Sequence, residues 1–215
     1  MKNIITISRE YASGGRMIGR KIAEMLGYSF YDKELIDMAA KESGLSPDFI
    51  AKTEQNISSG WLYNMMLGSS YAIGTAGATP GAANPILPLA DQIFNAQRKV
   101  ILNIAKDKKC VIVGRCADYI INSSGETDKN DVFNIFIYAN LDDRIDRAVN
   151  EYGLPAAEAK KIITQIDKRR ANHYNTFTEN TWGKCNNYNL SIDSSFLGID
   201  GTAKIICKMA EQTKS

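Results

Sequence analysis

The amino-acid sequence predicts an α/β protein in which a parallel sheet of about five strands lies between two layers of helices. Short apolar runs alternate with amphipathic segments along most of the chain, the order expected when helices connect parallel strands. Two runs, Cys110–Val113 and Val132–Tyr138, are almost continuously apolar, as in strands buried on both faces. A small turn with two glycines joins the first apolar run to a helix. We therefore expect residues 1–215 to form a single domain.

Five elements are predicted before residue 56, each bounded by residues that start or stop regular structure. Gly27 and Gly44 end two helices, because glycine readily forms a helix C-cap. Ser46 suits the N-cap of a third helix, with Pro47 at its first position. The predicted order is a strand at 3–8, a helix at 15–26, a strand at 28–31, a helix at 33–43 and a helix at 46–55.

Residues 56–90 break this alternation. Glycine, alanine, serine and proline cluster there, and the run Trp61–Leu67 forms a local apolar patch. A segment this long without regular structure is usually functional or disordered in a compact domain. We interpret 56–90 as an atypical insertion that is a mobile loop, a lid over a pocket or a partner surface. In the last case, 61–67 is the expected contact between copies of the chain.

Regular structure returns after the insertion. The helix at 155–175 is long and basic, and polar residues follow it. Together with the preceding helix, it forms a lid-like helical region at 141–188. The predicted elements of this half are helices at 91–107, 116–122, 141–152, 155–175 and 201–213, and strands at 110–113, 132–138 and 189–193.

Composition narrows the functions to consider. A hydrophobic content of 44% and a charged content of 23% fit a soluble globular protein. The net charge of +2 gives no reason to expect a nucleic-acid partner. No window comes near the roughly 18 apolar residues of a membrane span. The four cysteines have no C-x-x-C spacing and the N-terminus has no signal-peptide pattern, so we expect a reduced, cytoplasmic protein.

The turn after the first predicted strand has the layout of a phosphate site, since a helix N-terminus presents unpaired N–H groups and partial positive charge. The standard P-loop reads G-x-x-x-x-G-K-[ST]. With Gly15 and Arg16 as its Gly-Lys pair, Glu10 replaces the first glycine and Met17 the hydroxyl residue. Arg16 can still bind phosphate, whereas Met17 cannot bind Mg²⁺. The alternative is a plain turn whose glycines allow close packing. The predicted nucleotide-binding residues are Ser13, Gly14, Gly15, Arg16 and Met17.

Polar residues also follow other predicted strands, at the sheet edge where ligands of open α/β sheets bind. Arg9 follows the first strand, Asp32 and Lys33 the second, and Arg115 the third. Convergence of arginines suits phosphoryl transfer, whose catalysis is mostly positioning and charge neutralisation. The alternative for helical arginines is ion pairing on solvated faces. His173, the only histidine, is expected at the surface. The helical arginines considered are Arg144, Arg147, Arg169 and Arg170.

Three blocks of the chain, Ser8–Gly19, Phe30–Ile36 and Val111–Tyr119, resemble the bacterial cytidylate-kinase-like family. The similarity runs along nearly the whole chain and is weakest across 56–90. The resemblance implies the fold of P-loop nucleoside-monophosphate kinases and a single kinase-like domain. It also implies a nucleotide as the small-molecule ligand, with ATP as donor and Mg²⁺ as cofactor, although no residue is identified as a metal ligand.

The resemblance assigns roles to the residues singled out above. Its expected function is ATP-dependent phosphoryl transfer to a small phosphorylated acceptor, such as the nucleoside monophosphate CMP. The alternative, favoured by Met17, is a nucleotide-binding regulator or pseudokinase that kept the fold without transfer activity. A structural domain without a ligand is a third interpretation. The expected catalytic residues are Arg16, Asp32, Arg147, Arg169 and Arg170, and the expected acceptor-binding residues are Asp32, Lys33, Arg115 and Asp118.

Overall fold

The computed structural model describes residues 2–56 and 89–212. Within these ranges, five strands form one parallel sheet in the order β2-β3-β1-β4-β5. The central strand β1 pairs with β3 on one side and with β4 on the other. The predicted parallel sheet of about five strands is therefore confirmed. The strands are β1 (Ile4–Arg9), β2 (Ser29–Tyr31), β3 (Cys110–Val113), β4 (Val132–Tyr138) and β5 (Leu190–Asp193).

Helices connect the strands and cover both faces of the sheet, as predicted. Two short 3₁₀ turns at Lys129–Asp131 and Cys185–Asn187 precede β4 and β5. The α-helices of the described ranges are α1 (Gly15–Leu26), α2 (Glu34–Ser43), α3 (Pro47–Asn56), α4 (Leu89–Asp107), α5 (Ala117–Ser124), α6 (Leu141–Asn150), α7 (Ala156–Phe177) and α8 (Ser194–Glu211).

The helix α8 begins well before the predicted start at residue 201. The Asp193 side chain caps its first turn by accepting the Ser195 N–H at 2.8 Å. Gly198, with φ +65°, then kinks the helix. The kink interrupts the helical periodicity, so the pattern of apolar residues marks only the part of the helix beyond it.

The core lies on both faces of β1. Ile4 packs against α4 and α5 on one face, while Ile5 and Ile7 pack against α1 and α8 on the other. All three side chains are fully buried, and each stabilises the fold by about 1.5–3 kcal/mol. The intervening Thr6 donates a hydrogen bond to the Asn134 side chain at 2.6 Å, which satisfies both buried polar groups. This packing fixes the carboxyl end of β1, which is formed by Arg9 and is followed by the turn that contains Gly14 and Gly15.

Some expectations fall outside the described residues. The insertion is described only at its ends, in α3 and α4, and the expected contact at 61–67 lies outside the described ranges. The single domain and the lid-like region at 141–188 remain predictions about organisation. Among the helices of residues 2–56 and 89–212, none combines the length and the apolar character of a membrane span.

Candidate functional site

The loop after β1 leads into the N-terminus of α1. Gly14 occupies the N-cap position with φ +78° and provides no side-chain cap. The first N–H groups of the helix are therefore available to an anion, and the helix dipole favours one there. Ser13 stabilises the loop through hydrogen bonds. It is fully buried, and its hydroxyl donates to the Glu10 carbonyl at 2.9 Å. Its own carbonyl accepts the Ser194 hydroxyl at 2.6 Å.

The two loop glycines are required by close packing. A Cβ at Gly15 would lie only 2.7 Å from the Cβ of Arg9, and one at Gly14 would collide with Ile199. The packing interpretation of these glycines is thus correct. It does not exclude phosphate binding, since the same bare backbone lets a ligand approach the helix N-terminus.

Two adjoining cavities open at the carboxyl edge of the sheet. The larger one, about 1120 Å³, lies in front of the loop and the first turns of α1. The smaller one, about 400 Å³, lies between the strand ends and α7. Four residues line both cavities, and we call them the border residues. The border residues are Arg9, Asp32, Arg115 and Arg170.

The carboxylate of Asp32 is almost buried at the centre of the border. Its Oδ2 lies 2.6 Å from Nε of Arg16, and its Oδ1 lies 3.6 Å from Nη2 of Arg9. Arg16, at the position of the P-loop lysine, thus pairs with Asp32 and remains 44% exposed. The sequence patterns at the ends of β1 and β2 predicted that these residues meet, but not that Asp32 binds two guanidinium groups.

Arg115 is placed in the border by an unusual backbone. Gly114, Arg115 and Cys116 all have positive φ, at +79°, +56° and +55°. The left-handed conformation costs energy at the two residues that carry a Cβ, and such strain is concentrated at functional sites. Burial lowers the pKa of Arg115 to about 10, against an opposing effect of Asp32. The side chain therefore stays charged at neutral pH.

Arginines of α6 and α7 reach the same loop from the other side. Arg170 donates to the Arg9 carbonyl at 3.0 Å and lies over the Tyr11 ring, 5.6 Å from its centroid. Burial, and next the neighbouring Arg9, lower the pKa of Arg170 to about 9. Arg169 lines the smaller cavity. Arg147 donates to the Ala12 carbonyl at 2.6 Å, beside the turn at the start of α1.

Arg144 has a different environment from these arginines. It is 6% exposed, and its guanidinium meets the carboxylates of Glu10, at 3.0 Å, and Asp167. It also donates to the Tyr11 carbonyl at 2.8 Å, while Asp167 accepts the Tyr11 N–H at 2.7 Å. The interpretation of Arg144 as a residue of a solvated face is wrong. We call Arg144, Glu10 and Asp167 the clasp, because they fasten α6 and α7 to the loop.

Two expected acceptor-binding residues lie away from the smaller cavity. Lys33 lines only the larger one. Asp118 is 3% exposed and accepts the hydroxyl of Tyr174 at 2.7 Å. Burial raises the pKa of Asp118. Asp118 lines neither of these two cavities, because α5 turns its side chain toward Tyr174 of α7, and its expected role in acceptor binding stays a prediction.

Two residues of the site were not singled out from the sequence. Arg9 was noted only as a polar residue after a strand, yet it is a border residue. His173 was expected at the surface but is partly buried: it lines the smaller cavity and packs on Phe177, with ring centroids 5.0 Å apart. Its Nδ1 is buried without a hydrogen-bond partner. Burial, and to a lesser degree Arg115, lower its pKa to about 4.

The donor set does not fit a resident magnesium ion. Mg²⁺ prefers carboxylate and water oxygens in an octahedral arrangement. Both oxygens of Asp32 face guanidinium groups, and Met17 offers no hydroxyl. Over residues 2–56 and 89–212, no group of three or more His, Cys, Asp or Glu side chains is placed to hold a metal. The border therefore has more guanidinium groups than carboxylates.

Comparison with known proteins places this geometry in context. The sequence profile of the cytidylate kinase-like family matches residues 4–196. No match was found among curated protein sequences. An uncharacterized protein from Eubacterium ventriosum ATCC 27560 is similar in structure, with a TM-score of 0.69, 22% sequence identity, and coverage of 98% of this chain and 99% of that one.

A second solved structure, the shikimate kinase from Bacteroides thetaiotaomicron, is similar with a TM-score of 0.51 and 14% identity, over 98% of this chain and 99% of that chain. At these low sequence identities, the similarity of the two structures is evidence for the fold alone. They support the predicted fold, in which helices flank a parallel sheet and a loop after the first strand leads into a helix N-terminus.

Proposed function

Because the chain belongs to the cytidylate kinase-like family, we propose that it transfers the γ-phosphoryl group of ATP to a small phosphorylated acceptor. The first candidate is a nucleoside monophosphate such as CMP. The observation that carries this proposal is the border: two cavities meet at a wall with three arginines and one carboxylate. A wall of this kind suits a group that passes from one ligand to another while bearing several negative charges.

The larger cavity suits the donor. Its floor is the N-terminus of α1, and Gly14, Gly15 and Arg16 line it. The N–H groups and the Arg16 guanidinium would hold the donor phosphates, although Arg16 must share its contact with Asp32. Arg147 lies beside the same turn, next to Gly14. Its guanidinium would approach the donor phosphates from the side of α6.

The smaller cavity suits the acceptor. Arg115 would bind the acceptor's phosphate, and Arg169 and Arg170 on α7 would close over the transferring group and exclude water. An oxygen of the acceptor phosphate forms the new bond to the γ-phosphorus. The bond from that phosphorus to the bridging oxygen breaks, and its electron pair leaves with ADP. No proton needs to be removed from a phosphate dianion, so Asp32 positions the arginines and is not required as a base.

The alternative is a nucleotide-binding regulator without transfer activity. Met17 favours it, since this side chain cannot supply the hydroxyl that usually holds Mg²⁺ in a P-loop. The retention of arginines on both sides of the border favours the enzyme. The two functions differ in one property that can be measured, which is whether an acceptor stimulates the consumption of ATP.

A coupled assay of ADP formation tests the proposal. The purified chain is incubated with ATP, MgCl₂ and one nucleoside monophosphate at a time, and each monophosphate is matched by its unphosphorylated nucleoside. We expect stimulation by at least one monophosphate and none by its nucleoside. Binding of ATP in calorimetry without stimulation by any acceptor would support the regulator. Absence of ATP binding would overturn both functions.

A further inference from the structure

Arg9 holds a central position that the proposed function does not yet use. It is the last residue of β1, the middle strand of the sheet, so its side chain leaves the sheet at the carboxyl edge. It lines both cavities, as a border residue. Burial lowers its pKa to about 10, with Asp32 opposing and Arg115 and Arg16 adding to the effect. The guanidinium therefore remains charged at neutral pH in a crowded cationic setting.

Two glycines from distant parts of the chain leave room for this one side chain. A Cβ at Gly15 would lie 2.7 Å from Cβ and 3.0 Å from Cγ of Arg9. A Cβ at Gly114 would collide with Nη1 of Arg9. The stem of Arg9 thus runs past the loop of the larger cavity, and its tip reaches the Gly114-Arg115 turn. The path of Arg9 explains the bare backbone at Gly15, whereas at Gly114 the φ of +79° by itself favours glycine.

Arg9 and Arg16 differ in the length of their contacts with Asp32. Arg16 makes the short contact with the carboxylate, at 2.6 Å, and lines only the larger cavity. The ion pair between Arg9 and Asp32 spans 3.6 Å, which is too long for a hydrogen bond. Arg9 is nonetheless only 20% exposed. Its N–H groups therefore face the border without a short bond to this carboxylate, whereas Asp32 is already satisfied by Arg16.

We propose that Arg9 is a catalytic residue that contacts the γ-phosphoryl group as it crosses the border. This inference rests on the proposed function and deepens it, since it assigns the transferring group to a cation at the end of β1. A planar guanidinium can bind two phosphoryl oxygens at once. A residue that lines both cavities can keep those bonds while the group moves from donor to acceptor.

Nucleotide binding by Arg9→Met and Arg9→Lys tests the inference without requiring a known acceptor. ATP has the γ-phosphate and ADP lacks it, so calorimetry with each nucleotide in MgCl₂ separates the contact from a general effect. We expect Arg9→Met to weaken ATP binding by about 10- to 100-fold and ADP binding by less than about threefold. Arg9→Lys should recover part of the ATP affinity. Lys99→Met, which removes an exposed partner of Glu42, is the control and should change neither.

A second variant covers the case in which Arg9→Met does not fold. Arg9→Gln removes the charge but keeps a polar side chain in the buried site, and it should produce the same selective loss of ATP affinity. Equal losses for ATP and ADP, or wild-type affinity for both, would overturn the catalytic role of Arg9 and leave the proposed function standing. Failure of the wild-type chain to bind ATP would overturn the proposed function and, with it, this inference.

Discussion

The clasp and the border are two arginine clusters that flank the same loop, and their charge ratios are opposite. In the clasp, one guanidinium, that of Arg144, meets two carboxylates. The border has three guanidinium groups and one carboxylate, that of Asp32. Both clusters are largely buried. The two carboxylates of the clasp are matched by Arg144 together with Arg170, whose Nη1 lies 3.9 Å from Asp167, whereas the border holds more cations than carboxylates.

We expect this difference to separate arginines that stabilise the fold from arginines that bind ligands. Excess positive charge in a buried site is unfavourable: burial is the largest cause of the lowered pKa values of Arg9 and Arg170, at about 10 and about 9, and repulsion from neighbouring arginines adds to it. A phosphate anion would reduce the repulsion among these arginines, and we therefore expect it to bind favourably at the border. The clasp gains nothing from an added anion. Mutations in the two clusters should consequently affect different measurements.

The largest effect is expected from Arg144→Leu. Removing one partner of a buried ion pair leaves uncompensated charge behind, here Glu10, while Asp167 keeps only its longer ion pair with Arg170 at 3.9 Å; such a loss typically costs about 3–5 kcal/mol. Urea denaturation should show a free energy of unfolding lower by about that amount. Lys99→Leu, at an exposed ion pair, is the matched control and should change stability little. A loss in Arg144→Leu as small as in the control would show that the clasp does not stabilise the fold.

Arg115→Met should produce the reverse pattern in the border. Removing one of several crowded cations relieves repulsion on Arg9, so thermal stability should be retained or raised. With an acceptor found in the ADP assay, kcat/KM for the acceptor should fall by about 10- to 100-fold, the value of one charged hydrogen bond. ATP affinity should stay within about threefold of wild type. If the affinity for ATP and kcat/KM for the acceptor fell by the same factor, Arg115 would not be specific to the phosphate of the acceptor.

The sequence predicted the fold better than it predicted the division between these clusters. Alternating apolar runs set the order of strands and helices, because each element must bury one face in a shared core. The charge ratio depends on contacts across the chain, such as Arg144 with Glu10, which no local spacing encodes. The sequence also could not predict the partner of Asp118, because the hydrogen bond that it accepts comes from Tyr174, on a distant helix. A polar residue ending a central strand was the one signal that pointed to Arg9.

Arg16→Ala should have a smaller effect than Arg115→Met. A charged contact with a phosphate is worth about 1.5–3 kcal/mol, but Arg16 is partly exposed and must leave Asp32 to make it. We expect ATP affinity to fall by about tenfold, and ADP affinity by a similar factor if the contact is to the shared phosphates. Calorimetry with both nucleotides measures this. Unchanged affinity for both would remove Arg16 from the phosphate site, and a loss confined to ATP would assign it to the γ-phosphate.

The smallest effect is a change in the pKa of His173, which reports on the charge of the border. The native pKa of about 4 lies below the ordinary 6.5, so the native state binds fewer protons than the unfolded state between these values. Stability should thus fall as pH drops through that window, and His173→Gln should remove this component. The chain has one histidine, so its imidazole C–H protons can be followed by NMR without assignment.

An anion bound in the smaller cavity should raise this pKa. Burial is the larger cause of the lowered value and would persist, whereas the repulsion from Arg115 would be neutralised. We therefore expect saturating CMP to shift the pKa upward by about half a unit to one unit. Arg115→Met should raise the pKa without ligand and reduce the shift that CMP causes. If CMP binds in calorimetry and the pKa of the imidazole does not change, CMP does not occupy the cavity that His173 lines. The assignment of the smaller cavity as the acceptor site would then be wrong.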